Sequence, residues 1–136
     1  MLRVVLDTNV LVSAVVYGGN PRRVLQAAIS GAVDISVSEA IIKEFQEVLQ
    51  RPQFGLSVQF VHNTIAELTS IAEWVVPTKH HHLVDDDPSD DLVLDCAVAA
   101  EADYLVTGDD HLLRLKKFGN VKIVNSQAFV EVLKQG

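Results

Sequence analysis

A lone cysteine, Cys96, leaves this chain no disulfide to staple its fold. It sits among alanines and valines in a helical pattern and reads as a small buried apolar residue rather than a nucleophile. Glycine and proline are scarce, at 7 and 4 residues, which suits a compact globular chain. No apolar run approaches the roughly 20 residues that span a bilayer, and Met1-Leu2-Arg3-Val4-Val5 reads as strand rather than as a signal peptide. The expectation is a cytoplasmic protein with no membrane partner. Positive charge is also short: 11 Lys and Arg stand against 18 Asp and Glu, giving a net charge of -7. That balance argues against a protein holding nucleic acid through a broad basic surface. It does not exclude a nuclease, because carboxylates gathered at a metal site are neutralised by the bound cations. There is no repeat, linker or low-complexity segment. The 136 residues fit a single domain, 1–136, able to bury about two-thirds of the unfolded chain's surface; a metal here would serve catalysis before structure.

What the chain does have is alternation of strand and helix patterns. Arg3 to Leu6 is aliphatic and runs straight into Asp7, the mark of a buried parallel strand delivering an acid to its C-terminal end. A short helix from Val10 to Val16 ends at Tyr17-Gly18-Gly19. Asn20-Pro21 starts the next helix, which Gly31 stops. Val33 to Val37 is the second strand. Ser38 caps a helix with Ile41, Ile42, Phe45, Val48 and Leu49 in one stripe, ended by Arg51-Pro52. The helix from Ser57 to about Ala72 turns Phe60, Val61, Ile65, Leu68 and Ile71 inward. Trp74 to Val76 is a third strand, and Thr78 to Ser89 the longest surface loop. A helix from Asp90 to Ala102, strand Tyr104 to Thr107, turn Gly108 to Asp110, short helix His111 to Leu115, strand Val121 to Val124, and a helix capped by Ser126 with Phe129, Val130 and Leu133 inward complete the order. This pattern predicts an α/β fold of three α/β/α layers with a central parallel sheet of about five strands.

Four acids converge on such a scaffold, since ligands bind beyond the carboxyl ends of the strands. Asp7 ends the first strand and Asp109 follows the fourth. Glu44 borders its helix's apolar stripe, whereas Lys43 and Glu47 point away and Glu39 lies well off it. Asp90 falls in line with Leu94 and Ala97, while Asp91 and Asp95 share the one polar stripe. Two of these positions have a plainer reading as a helix cap, Asp7 before Val10 and Asp90 or Asp91 beside Ser89. A carboxylate cluster without a compensating cation would repel itself by several kcal/mol at about 4 Å, even at an effective dielectric of about 20. Oxygen-only donors favour Mg²⁺ or Mn²⁺ over zinc. The matching chemistry is phosphodiester hydrolysis, in which water attacks in line while cations offset developing charge. Thr8, Asn9 and Thr107 are suited to hold carboxylates and waters, although Asn9 and Thr107 equally suit turns and caps.

These residues resemble the PIN-domain family of metal-dependent ribonucleases, and within it the toxin components of prokaryotic type II toxin-antitoxin pairs. Val4-Val5-Leu6-Asp7-Thr8-Asn9-Val10-Leu11-Val12-Ser13 looks like the first motif. Ser38 to Phe45, continuing through Val48-Leu49-Gln50-Arg51-Pro52, looks like the second, with its acid at Glu44. Asp87 to Asp91, then Leu94 to Ala97, then Ala102 to Asp109, looks like the third and fourth. The resemblance implies a PIN-like fold, a quartet of Asp7, Glu44, Asp90 and Asp109 that is both catalytic and metal-binding with Mg²⁺ or Mn²⁺, and endoribonuclease activity. It also implies homodimers or higher homo-oligomers and inhibition by a cognate antitoxin. Asp91 competes with Asp90 for the third position, and Asp110 with Asp109 for the fourth.

His80-His81-His82 reads as a solvated loop, having no spaced carboxylate or cysteine partner. His111 is better placed, beside the acidic turn, where it could contact a phosphate. Arg22, Arg23 and Arg114 are candidates for RNA backbone contacts. Among rival functions, a phosphohydrolase with Asp7 as covalent nucleophile would want a second acid two residues on, where Asn9 stands, and a late lysine that the Thr107 to Asp110 turn lacks. A catalytically dormant PIN-like RNA- or protein-binding module would show an incomplete quartet.

Overall fold

The computed structural model describes residues 1–79 and 88–135. Strand β1 (Arg3–Leu6) lies between β2 (Asp34–Val37) and β4 (Tyr104–Val106), parallel to both. Outside them are β3 (Glu73–Trp74), β6 (Val121–Val124) and β5 (Lys117–Phe118), in the order β3-β2-β1-β4-β6-β5. Val4 and Val5 are consecutive and therefore face opposite sides of the sheet, yet both are buried. Both faces are thus covered, as a parallel sheet requires, and the fold is the α/β type with three layers.

Among the described residues the layers are supplied by α1 (Thr8–Val16), α2 (Gly19–Ile29), α3 (Glu39–Leu49), α4 (Val58–Ile71), α5 (Pro88–Ala99), α6 (Asp110–Leu113) and α7 (Ser126–Gln135). Strands two and three build outward from β1 on one side; β4 and β6 build outward on the other. The gap between β1 and β4 is therefore the topological switch point, where a crevice opens beyond the carboxyl ends.

Several boundaries differ from the sequence reading, each for a tertiary reason. The sheet has six strands, not five. The extra β5 is two residues long and antiparallel to β6, too short to show periodicity. The third strand sits earlier than Trp74 to Val76 and is an exposed edge, with Trp74 51% exposed. Helix α1 starts at Thr8, directly after Asp7, rather than at Val10. Helix α2 starts at Gly19 rather than behind an Asn20 cap: Gly18 holds φ 85°, and Arg22 folds over it to bond the Ala14 and Val15 carbonyls at the end of α1. The last helix is capped by Asn125 Oδ1, which accepts Ala128 N–H at 2.8 Å, not by Ser126. On α4, Val61 and Leu68 are buried, but Phe60 and Ile71 are exposed and rim an apolar groove of about 530 Å³. Pro88 and Ser89, read from sequence as the end of a loop, belong to α5, and the rest of that segment from His80 to Asp87, with its three histidines, lies outside the described residues. No helix among the described residues is long and apolar enough to cross a membrane.

Candidate active site

Between the end of β1 and the start of α1 there is one residue, Asp7. Its backbone has N-cap geometry, φ -60° and ψ 150°, yet its carboxylate makes no helix-capping bond. It accepts the Thr107 hydroxyl at 2.6 Å instead, with the Thr8 N–H also directed at it. Asp7 is 3% exposed. Burial pushes its pKa above the usual carboxylate range. The Thr107 bond pulls it down, the charges of Glu44 and Asp109 push it up, and the Thr8 N–H pulls it down again, leaving it raised. Three acids that lie far apart in the chain are therefore within electrostatic reach of one another.

Each partner is carried by a different element. Glu44 is half-buried on α3, between exposed Lys43 and buried Phe45. Asp109 follows β4 through Thr107-Gly108. Its own N–H donates to Thr107 Oγ1 at 3.0 Å, so one fully buried hydroxyl ties both aspartates across the switch point. Asp109 Oδ1 also accepts His111 N–H at 2.8 Å, capping α6, and lies 3.7 Å from His111 Nδ1. The capping account thus fails for Asp7 and describes one oxygen of Asp109. Among the described residues no lysine or arginine pairs with Asp7, Glu44 or Asp109.

Asp90 stands in the first turn of α5, and its side chain lies outside the described residues. The residues one and two turns later, Leu94 and Ala97, are fully buried. The stripe of Asp91 and Asp95 is not solvent-facing as the helical projection suggested. Asp91 is 9% exposed and Asp95 3%, whereas Leu92 is 39% exposed. The face carrying Asp91 and Asp95 is covered by neighbouring elements, so these two acids are buried while Leu92 is left at the surface. Sequence carried no signal of this, because two acids at i,i+4 look like a surface stripe. Asp95 lines a pocket of about 320 Å³ with Ser38, Lys43 and Leu92. Thr8 is buried, and exposed Asn9 makes no side-chain hydrogen bond among the described residues. Asp110 is exposed at the start of α6, and its carbonyl receives Arg114 Nε at 3.4 Å. Arg23 is exposed; Arg22 spends its guanidinium on α1.

Beside Asp95, burial pushes the Cys96 thiol up to about 12; the Ser38 hydroxyl lowers it and the Asp95 charge raises it. A thiol this basic stays protonated and inert. Iodoacetamide at pH 8 leaves the native mass unchanged and adds one carbamidomethyl group once the chain is unfolded in guanidinium; labelling of the native protein would show that α5 opens.

The carboxylates present offer oxygen donors and uncompensated negative charge, which fits a hard divalent cation. Among the described residues no three His, Cys, Asp or Glu side chains stand close enough to cage an ion. A comparison with characterised proteins finds no significant match. The family model for the PIN domain, by contrast, matches residues 3–111. It spans β1, the acid-bearing helices and the Thr107-Asp109 turn, and with most of the chain covered, this protein belongs to the PIN-domain family, whose members are in general metal-dependent nucleases.

Proposed function

We propose that the protein is a metal-dependent endoribonuclease whose catalytic and metal-binding residues are Asp7, Glu44, Asp90 and Asp109, with Asp91 and Asp110 as secondary candidates for the third and fourth positions and Mg²⁺ or Mn²⁺ as the cation. The observation that carries this reading is the buried Asp7 carboxylate, set at the switch point within reach of Glu44 and Asp109 and, among the described residues, paired with no lysine or arginine. Such an arrangement is destabilised by its own charge unless cations enter it. When bound, they offset charge building on the phosphate and leaving oxygens and acidify the attacking water.

The chain's own contribution is placement. Thr107, fully buried, fixes the Asp7 carboxylate through its hydroxyl proton and the Asp109 backbone through its oxygen lone pair. Through this one hydroxyl the position of Asp7 is tied to that of Asp109. Water adds to phosphorus, the bridging P–O bond breaks, and the departing oxygen takes a proton. RNA as substrate, a cognate antitoxin, and assembly as a homodimer or higher homo-oligomer are supported by the motif resemblance to the toxin branch of the family.

The test is cleavage of a panel of structured and single-stranded RNAs with Mg²⁺, Mn²⁺ or EDTA, alongside Asp90→Asn and Asp91→Asn. Cutting is expected only with metal. Asp90→Asn should lower the rate by about 10²–10³-fold, the usual cost of one group that stabilises transition-state charge, while Asp91→Asn stays near wild type. The reverse order would transfer the third position to Asp91. Cutting that persists in EDTA, or a folded protein that neither cuts nor binds Mn²⁺, would remove the proposal.

A further inference from the structure

Charge is distributed unevenly along this acidic chain. From His111 to Val130 there is no aspartate or glutamate, although the protein has 18, and four of its 11 lysines and arginines fall there: Arg114, Lys116, Lys117 and Lys122. The stretch begins two residues after Asp109.

Folding brings these cations together. Lys117 on β5 and Lys122 on β6 are direct partners in the antiparallel register, so their side chains share a face, and both are exposed. Lys122 is in turn the register partner of Tyr104 on β4, and its Nζ lies 5.7 Å from the Tyr104 ring centroid. Lys116 is exposed one residue earlier, with a left-handed φ of 61°. Like charges set directly opposite destabilise an antiparallel pair. Among the described residues no carboxylate pairs with Lys116, Lys117 or Lys122 to relieve that repulsion. Solvent and counterions are left to screen the pair, and a polyanion that displaces those counterions gains free energy by doing so.

Where such a polyanion would lie follows from the hydrogen bonds. Thr107 N–H donates to Val124 C=O, and Ile123 N–H donates to Lys116 C=O, so the β5–β6 ribbon is continuous with the acidic turn. Lys122 is level with Tyr104, three residues before Thr107, or about 10 Å along the strand. Lys117 and Lys122 stand side by side on neighbouring strands, with Lys116 next to Lys117 in the chain, an open arrangement that suits repeated phosphates of a polymer better than one small anion.

We infer that the β5–β6 ribbon, with Lys116, Lys117 and Lys122 and the adjoining Arg114, is the track that holds the RNA backbone leading to the acids. This rests on the nuclease reading above. Lysines on an edge strand also discourage edge-to-edge pairing, and the two roles separate by experiment. The probe is an end-labelled single-stranded RNA cleaved with Mn²⁺ across a salt series. Wild type is compared with Lys116→Gln/Lys117→Gln/Lys122→Gln and with a control carrying Arg51→Gln/Lys134→Gln. The track requires the triple variant to raise KM about 10-fold or more with kcat within about twofold, and to reduce the salt slope of log KM by about 2, three contacts at about 0.7 each. The control stays at wild type. Unchanged KM and slope in a cleaving triple variant overturns the track and leaves the nuclease reading standing, as does equal loss in the control. Aggregation of the triple variant with unaltered KM assigns the lysines to edge protection. A wild type that neither binds nor cleaves this RNA overturns both readings.

Discussion

Asp7→Asn is expected to lower metal-dependent RNA cleavage by about 10³-fold, the scale of losing one charge-stabilising group together with its hold on the cation. The same substitution is expected to stabilise the metal-free protein at neutral pH. The opposite signs have one cause. Asp7 is buried, and burial together with the charges of Glu44 and Asp109 raises its pKa above the ordinary 3.8, despite the Thr107 hydrogen bond. An acid whose folded pKa is raised favours the fold fully below its unfolded pKa. That support is lost as pH rises through the folded value, because ionisation then costs more in the fold than in the open chain. The gain from Asn should therefore be absent below about pH 3.8 and grow towards neutrality. An asparagine oxygen still accepts the Thr107 hydroxyl, so the contact at 2.6 Å survives. For a chain of this size each kcal/mol regained moves Tm by about 4 °C. Calorimetry in EDTA from pH 3 to 8 reads the effect, and Mn²⁺ should raise the Tm of wild type but not of the variant. A variant less stable than wild type at pH 7 would mean that the ionised carboxylate supports the fold, and the argument for a charge-strained site would fail.

Phe129→Ala carries the largest expected cost to stability, about 3–5 kcal/mol. Phe129 is fully buried on α7, and its ring meets Tyr104 edge to face, with centroids 5.2 Å apart at 66°. Truncation loses the buried ring, leaves a cavity beside β4, and removes an aromatic pair worth about 0.5–1.5 kcal/mol. Helix α7 lies beyond residues 3–111 matched by the family model, yet it packs on the central sheet through this residue. Urea unfolding should show a lower midpoint with an unchanged slope, since the surface exposed on unfolding is nearly the same. A loss below about 1 kcal/mol would mean that α7 is peripheral and that the sheet stands without it.

Local chemistry was legible wherever a pattern depends on near neighbours. The aliphatic run Arg3 to Leu6 ending in an acid, the Ser38 cap that accepts Ile41 N–H at 3.3 Å, and the stripe of Ile41, Phe45 and Leu49 all repeat at the period of their own element. Glu44 at the stripe's border followed from the same projection. Burial beyond a single element was not legible. The projection put Phe60 and Ile71 inward with Val61 and Leu68, but α4 meets the body of the protein along only part of that arc. Similarly, the spacing of Asp91 and Asp95 suggested a wet face that neighbouring elements in fact cover.

By itself, the sequence determined the kinds and order of the elements and the acid at the end of β1, because hydrophobic periodicity and strand-to-helix junctions are written within a few residues. Only the tertiary structure decided that Asp7, Glu44 and Asp109 lie within reach of one another and that Thr107 joins two of them across one hundred residues of chain. It also decided that Lys117 faces Lys122, since β5 forms only by pairing with β6. Strand order and register are set by packing among distant segments, and no local pattern contains them.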